Sequence, residues 1–334
     1  LNFSDMPARR LRFTCRAAAS HKGAMTTSSC ILSEPYAGLQ SQALGLAEAA
    51  GLSPDTLALH PRWPWRMLPA ASWPAPLHAV GLRDSPADLL FTAGGTAGAV
   101  GAAFRRRGAR VVQVQNPRMA LSKFDLVVAN RHDGLDGPNI IVTRTALHRA
   151  SAARLAEAAA IWAPRLAHLP RPLVAVLVGG SNGRFRLEAA EGERLAADLA
   201  GMMQRDQPGI VVTPSRRTAP AVRQALSREL SPRGAWIWDM QGENPYFGLL
   251  ALADVIVATL DSISMVSEAV ATRAPVMVAE LPGRSKRISL FLRGLLMEDR
   301  VRVFGGRLKT WPVQPIDDTG MAGAEVARRL GLRL

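Results

Sequence analysis

Cysteine is scarce in this 334-residue sequence: Cys15 and Cys30 are its two. That excludes a disulfide framework and suits a reducing compartment. Nor is there an apolar run of the roughly 18–20 residues that a membrane-spanning helix requires. The nearest stretch, "YFGLLALADVIVATL" at 246–260, is broken by Asp254. No GK[ST] phosphate loop, G-x-G-x-x-G fingerprint, D-x-D pair, zinc-ligand spacing or nucleophile elbow occurs. No metal or cofactor is therefore expected, and no nucleic-acid motif accompanies the charge.

Positive charge, by contrast, is plentiful. The formal net charge is +14, which favours anionic partners such as nucleotides, phosphates or acidic lipid. Residues 1–24 carry Arg9, Arg10, Arg12, Arg16 and Lys22 against Asp5, a net +4 (five minus one) of that total. They are read as a disordered basic leader, with folded sequence beginning near Met25.

From there, apolar β-like runs alternate with helical patterns, which signals parallel α/β units. Strands are expected at "SCILS" (29–33), "TLALH" (56–60), "DLLFTA" (88–93), "RVVQVQ" (110–115), "DLVVAN" (125–130) and "NIIVT" (139–143). A helix through 150–168 leads into the proline-marked linker "LAHLPRP". The pattern then restarts with "LVAVLVGG", "GIVVTP", "AWIWDM", "DVIVAT" and "PVMVAE", and "GAEVARRLGL" reads as a terminal helix. Two doubly wound parallel-sheet domains, 25–165 and 166–334, follow from this order, the last helix being free to cross back to the first domain. "FTAGGTAGAVGAAF" (91–104) and "VTPSRRTAPAVRQAL" (212–226) echo one another as strand, small-residue turn and helix.

In such sheets ligands sit beyond the carboxyl ends of the strands. "GGSNGR" follows a strand end: Gly179, Gly180 and Gly183 admit close main-chain approach to an anion, Ser181 and Asn182 add donors, and Arg184 adds charge. A plain strand-to-helix turn is the competing reading. "TPSRRT" sets Ser215, Arg216, Arg217 and Thr218 at the start of a helix, where an anion would relieve repulsion between two arginines and the helix dipole. Its alternative is a solvated basic turn. In "TLDSISMVSEAVATRAPVMV", Asp261 or Ser262 can cap a helix. Glu268 can then accept ribose hydroxyls while Ser262 and Ser264 donate to phosphate, unless Glu268 is an ordinary surface glutamate.

"VLVGGSNGRF" with "DSISMVSEAVATRAPVMVAELPG" resembles the nucleotide-sugar half of GT-B glycosyltransferases, and in particular the lipid-linked N-acetylglucosaminyltransferases of cell-wall synthesis. That resemblance implies Ser181 and Asn182 near phosphate and Glu268 on the ribose. Nearly all of 28–310 is also similar to the mitochondrial fission ELM1 family, through "LQSQALGLAEAAGL", "VQVQNPRMALSKFDLVVANRHDGLDGPNIIVT", "VGGSNGRF", "TPSRRT" and "ENPYFGLLALADVIVAT" in that order. The turns "SEPYAG" and "AGGTAG" depart from it, lacking the basic residues expected there. The implied architecture is GT-B-like: two Rossmann-like domains facing a cleft.

"QNPR" and "NRHDG" follow consecutive strands of the first domain. Gln115, Asn116 and Arg118 offer donors to a sugar or phosphate. His132 or Asp133 can take the acceptor proton, or they form a structural turn. Arginines can neutralise leaving-group charge without a cation. Two segments bear on partners. "HPRWPWRMLPAASWP" holds Trp63, Trp65 and Trp73, as core plugs or as a membrane-facing patch. "GRSKRISLFLRGLL" sets Arg284, Lys286, Arg287 and Arg293 beside Ile288, Phe291 and Leu292, an apolar stripe to be buried internally or docked on a membrane.

The leading expectation is metal-independent glycosyl transfer from a nucleoside diphosphate sugar to a lipid-linked or other envelope acceptor. The protein would be cytoplasmic, with peripheral contact at the inner membrane face. A non-catalytic adaptor is the second expectation and a sugar-nucleotide epimerase the third.

Overall fold

A computed structural model describes residues 27–332. The leader expected over 1–24 lies outside the described residues. The first half lays down β1 (Ser29–Ser33), α1 (Ala37–Ala49), β2 (Asp55–Ala58), α2 (Pro76–Val80), β3 (Leu89–Ala93), α3 (Gly95–Arg105), β4 (Arg110–Val114), β5 (Leu126–Asn130) and β6 (Ile140–Thr143). Its strands form one parallel sheet in the order β2-β1-β3-β4-β5-β6.

The second half contributes α4 (Ala152–Leu166), β7 (Leu173–Val178), α5 (Ala189–Asp206), β8 (Gly209–Pro214), α6 (Pro220–Leu230) and β9 (Trp236–Ile237). It continues through α7 (Tyr246–Leu252), β10 (Val255–Thr259), α8 (Ile263–Val270), β11 (Val276–Ala279), α9 (Lys286–Met297), β12 (Val301–Val303) and α10 (Asp318–Leu330). A second parallel sheet results, ordered β12-β11-β10-β7-β8-β9. Strand β12 was not anticipated from the sequence, and "AWIWDM" contributes only the pair Trp236–Ile237 to its sheet.

The central strands of both sheets are buried on both faces because they are apolar at nearly every position, not at alternate ones, whereas the edge strands β2, β9 and β12 are partly exposed. In β7, Leu173, Ala175 and Leu177 enter one core while Val174, Val176 and Val178 enter the other. Ile31 and Leu32 of β1 divide in the same way between the two cores of the first lobe.

Two helices cross between the lobes. Helix α4 packs along α7 of the second lobe, where Gly248 leaves room for the Trp162 ring. Helix α10 returns to α1, and Ala322 and Val326 join the first lobe's core. Asp318 secures that return: its carboxylate accepts from the main-chain N–H groups of Arg144 and Thr145 and from the Arg144 guanidinium.

Each sheet has a point where the strand order reverses, which is where open α/β sheets bind ligands. In the first lobe it lies between β1 and β3, in the second between β7 and β10. The echoing segments follow β3 and β8, which stand on opposite sides of their respective reversals. The echo is a local strand–turn–helix likeness and not a topological repeat.

Candidate functional site

The turns after β7 and β10 interlock. Gly179 N–H donates to Thr259 Oγ1 at 2.8 Å and Gly180 N–H to Asp261 Oδ2 at 3.2 Å. The fully buried Asp261 carboxylate also accepts from Thr259 Oγ1 and from Arg217 Nη2, each at 2.7 Å. A Cβ on Gly179 would lie 2.0 Å from Asp261 Oδ1. The glycine pair therefore makes room for an internal carboxylate and guanidinium, and its amide hydrogens are engaged within the protein. This corrects the reading of Gly179 and Gly180 as an open anion cradle.

The same holds for several neighbours. Ser181 Oγ donates to the Leu187 carbonyl at 3.1 Å and to Glu188 Oε1 at 2.6 Å. Asn182 Nδ2 donates to the Asp261 carbonyl, while its Oδ1 accepts from the amides of Arg184 and Phe185. Thr218 is buried and its hydroxyl donates to the carbonyls of Val178 and Gly179. These side chains shape the turn. Gly183 and Arg184 are exposed, on a loop bridged to Gly283 and Arg284.

What remains open is a hollow between the lobes. One part, about 240 Å³, is lined by Ser41 and Gln42 of α1 and by Gly179, Ser215, Arg217, Tyr246, Ser262, Ser264 and Glu268 from the second lobe. The adjoining part, about 420 Å³, shares Ser215 and Tyr246 with it and brings in Arg216. Ser262 caps α8, its hydroxyl accepting from Met265 N–H at 3.4 Å. The cap starts the helix so that Ser264 and Glu268, four residues apart, share a face. Tyr246 Oη donates to Glu268 Oε2 at 2.5 Å. Burial pushes the Glu268 carboxyl up to about 7, opposed by that hydrogen bond, and the Tyr246 hydroxyl is held well above its usual value by burial and by Glu268.

The first-lobe residues divide. Gln115 reaches the hollow indirectly: its Nε2 donates to Gln42 Oε1 at 2.9 Å, and Gln42 Nε2 donates to Ser264 Oγ at 3.4 Å. Asn116 and Arg118 line neither part, and Asn116 Oδ1 instead accepts from Arg118 N–H at 2.8 Å. His132 lines a separate cavity of about 260 Å³ against α9. Its Nε2 accepts from Arg287 Nε at 2.6 Å, and Asp133 Oδ1 stands 3.9 Å away. Burial and the Arg287 charge lower the imidazole's pKa, against Asp133. Asp133 accepts from Asn130 N–H and closes its own turn. With that lone pair engaged and the cavity distinct, His132 and Asp133 are not assembled with Glu268 as the base of one site.

Two contributors to the hollow, Tyr246 and Gln42, carry no mark in the sequence. Tyr246 and Gln42 reach Glu268 and Ser264 from distant segments, so no local spacing announces them. Arg300 is buried beneath α8 and donates to the carbonyls of Val270, Thr272 and Ala274 at the helix's end; burial lowers its pKa to about 10. Glu34 follows β1 at the first lobe's strand reversal, with Oε2 3.5 Å from the position a Cβ on Gly94 would take. Among the described residues no group of three His, Cys, Asp or Glu side chains is arranged to hold a metal.

A model of the mitochondrial fission ELM1 family matches residues 37–330. The chain belongs to the mitochondrial fission ELM1 family. Within that family it is 32% identical over 251 residues to the mitochondrial fission protein ELM1 of Arabidopsis thaliana, an alignment spanning 67% of this chain and 58% of the relative. The chain thus covers less than two thirds of that relative's length. Among solved structures, UDP-GlcNAc 2-epimerase from Methanocaldococcus jannaschii superposes with a TM-score of 0.55 at 12% identity, covering 92% of this chain and all of that one. The glycotransferase of kitacinnamycin gives 0.51 at 14% identity, covering 91% and 93%. This ELM1-family chain therefore has the GT-B-like fold, two parallel six-stranded sheets facing each other across a cleft. Among its described residues no helix is long and apolar enough to cross a membrane.

Proposed function

We propose that the chain binds a nucleoside diphosphate sugar in the hollow between its lobes and transfers the sugar to an envelope-type acceptor without a metal ion. The observation that carries this reading is Glu268, a half-buried carboxylate on the same helical face as Ser264, opening into a hollow that also holds Arg216 and Arg217. Ionised, Glu268 accepts two ribose hydroxyls, a geometry that suits vicinal donors. Ser262 and Ser264 donate to the diphosphate. The two guanidiniums oppose the charge that builds on the leaving group, although Arg217 is partly neutralised by Asp261.

In the transfer step the acceptor oxygen bonds to the anomeric carbon as the carbon–oxygen bond to the diphosphate breaks. The nucleoside diphosphate leaves with that electron pair, and the acceptor proton passes to a base. Among the residues lining the hollow the first lobe supplies no carboxylate or imidazole, and His132 has its Nε2 occupied by Arg287, so this base is not assigned. Thermal-shift measurements with uridine, guanosine and cytidine diphosphates test the binding. Stabilisation by one of them, lost in Glu268→Ala, is expected; no stabilisation by any overturns the reading.

A non-catalytic adaptor is the second reading, favoured by the internal engagement of the glycine-turn amides and of His132. It requires Glu268→Ala and Arg216→Ala to leave the biological role intact while surface substitutions abolish it. Sugar epimerisation, the third, requires solvent deuterium to enter the sugar during turnover.

A further inference from the structure

A cleft of about 770 Å³ lies on the first lobe, outside the hollow described above, between α2, the end of α3 and the excursion that precedes α2. Arg62, Arg83, Arg106 and Arg107 line it together with His78, and no carboxylate does. Among the described residues none of these four guanidiniums is ion-paired to an acid, whereas their neighbour Arg105 pairs with Asp125 at 3.1 Å. Two of them are held in place. Arg107 Nη1 donates to the Arg83 carbonyl at 2.6 Å. Arg62 lies over Gly81, the left-handed cap of α2 at φ 73°, where a Cβ would sit 2.4 Å from Arg62 Nη2. Gathering unpaired cations costs electrostatic energy that an anionic partner returns.

The excursion leaves this cleft at Arg62 and re-enters its wall at Pro74. Between those points Trp63, Met67 and Leu68 are 74%, 73% and 49% exposed. Trp73 fixes the tip from beneath: its ring is buried and its Nε1 donates to the carbonyls of Trp65 and Leu68 at 3.1 and 3.2 Å. The exposed apolar side chains thus stand on a braced tip that begins and ends in a wall of arginines. A soluble anion would use the arginines and leave the tip unexplained. A phospholipid surface uses both, phosphates meeting the guanidiniums while Trp and aliphatic side chains enter the interface.

We propose that this face docks the chain on an anionic phospholipid membrane, headgroup phosphates entering the arginine cleft and Trp63, Met67 and Leu68 entering the interface. The proposal is independent of the nucleotide reading. Sedimentation of the full chain with phosphatidylcholine vesicles, with and without phosphatidylglycerol, tests it. Binding is expected only with phosphatidylglycerol, weakening steeply with salt. Each surface cation contributes roughly fivefold to such partitioning, so Arg83→Glu with Arg106→Glu is expected to weaken it more than about 25-fold. Trp63→Ser is expected to weaken it about tenfold. All three positions are exposed, so thermal melting is expected to stay unchanged, and the basic 1–24 segment is common to every variant. Equal binding to both vesicle types, or variants that bind as the parent does, overturns the proposal. So does calorimetric binding of inorganic pyrophosphate without vesicle binding.

Discussion

Gly180 lies so close to the main chain of Arg217 that a Cβ built on it would sit 2.1 Å from the Arg217 carbonyl oxygen. The contact is with backbone, so it cannot be relieved by a rotamer change. Gly180→Ala is therefore expected to destabilise the protein by about 3 kcal/mol or more, measured by urea unfolding. Gly183, three residues on, has nothing within 4 Å of its built Cβ. Gly183→Ala is expected to leave stability within about 0.5 kcal/mol of the parent. Equal costs at the two positions would remove the steric account of the turn.

Asp261 tests the other half of that packing. Its carboxylate joins the main chain of Gly180, the hydroxyl of Thr259 and the guanidinium of Arg217. Replacement by alanine leaves a buried amide without its acceptor, while the half-exposed Arg217 guanidinium can turn to water, and a loss of about 1–3 kcal/mol is expected. In a double-mutant cycle with Arg217→Met the two losses are expected to be strongly non-additive.

The pH dependence expected from Glu268 has a definite sign. Its carboxyl is raised from 4.5 to about 7 in the folded chain. Its contribution to stability is complete below pH 4.5 and fades as pH rises towards 7, because the unfolded chain ionises first. Glu268→Gln is expected to remove a fall in stability of about 3 kcal/mol between pH 4.5 and 7, read from urea midpoints across the range. Nucleoside diphosphate affinity in the parent is expected to move the opposite way and tighten as pH passes 7, since the ionised carboxylate is the stronger acceptor of ribose hydroxyls.

His132 and Arg287 join the lobes through a neutral imidazole. Burial and the adjacent guanidinium lower the His132 pKa, so its stabilisation is full above the ordinary value of 6.5 and is lost as pH falls through the lowered one. Asp133, Arg131, Arg144 and Glu298 also face this region, and the acids among them oppose the effect. Acidification to about pH 5 is expected to increase the radius of gyration in solution scattering by loosening the interlobe contact. In His132→Gln, which keeps an acceptor but cannot take the charge, that change is expected to be absent.

The sheets were legible in the sequence because their strands are continuous apolar runs ended by Gly, Pro, Asn or Thr. β12 escaped because "VRV" is three residues long with an arginine in its centre. The face of α8 carrying Ser262, Ser264 and Glu268 was legible because a cap and helical spacing are local properties. The partners of those residues were not. Gln42 meets Ser264 across 222 positions of chain, and Arg287 meets His132 across 155. The role of the glycine turn was hidden for the same reason: its amides are satisfied by Thr259 and Asp261 and its crowding comes from Asp261 and Arg217, which arrive from two other loops.

The crossing of α4 to the second lobe and of α10 to the first means that neither half is self-sufficient. A cut at the linker near 170 would strip the first lobe of Ala322 and Val326 and leave the face of α1 bare. It would also pull Trp162 from its seat against Gly248. The two crossings fasten the halves at two separate places, so each lobe completes its packing with chain that the other half supplies.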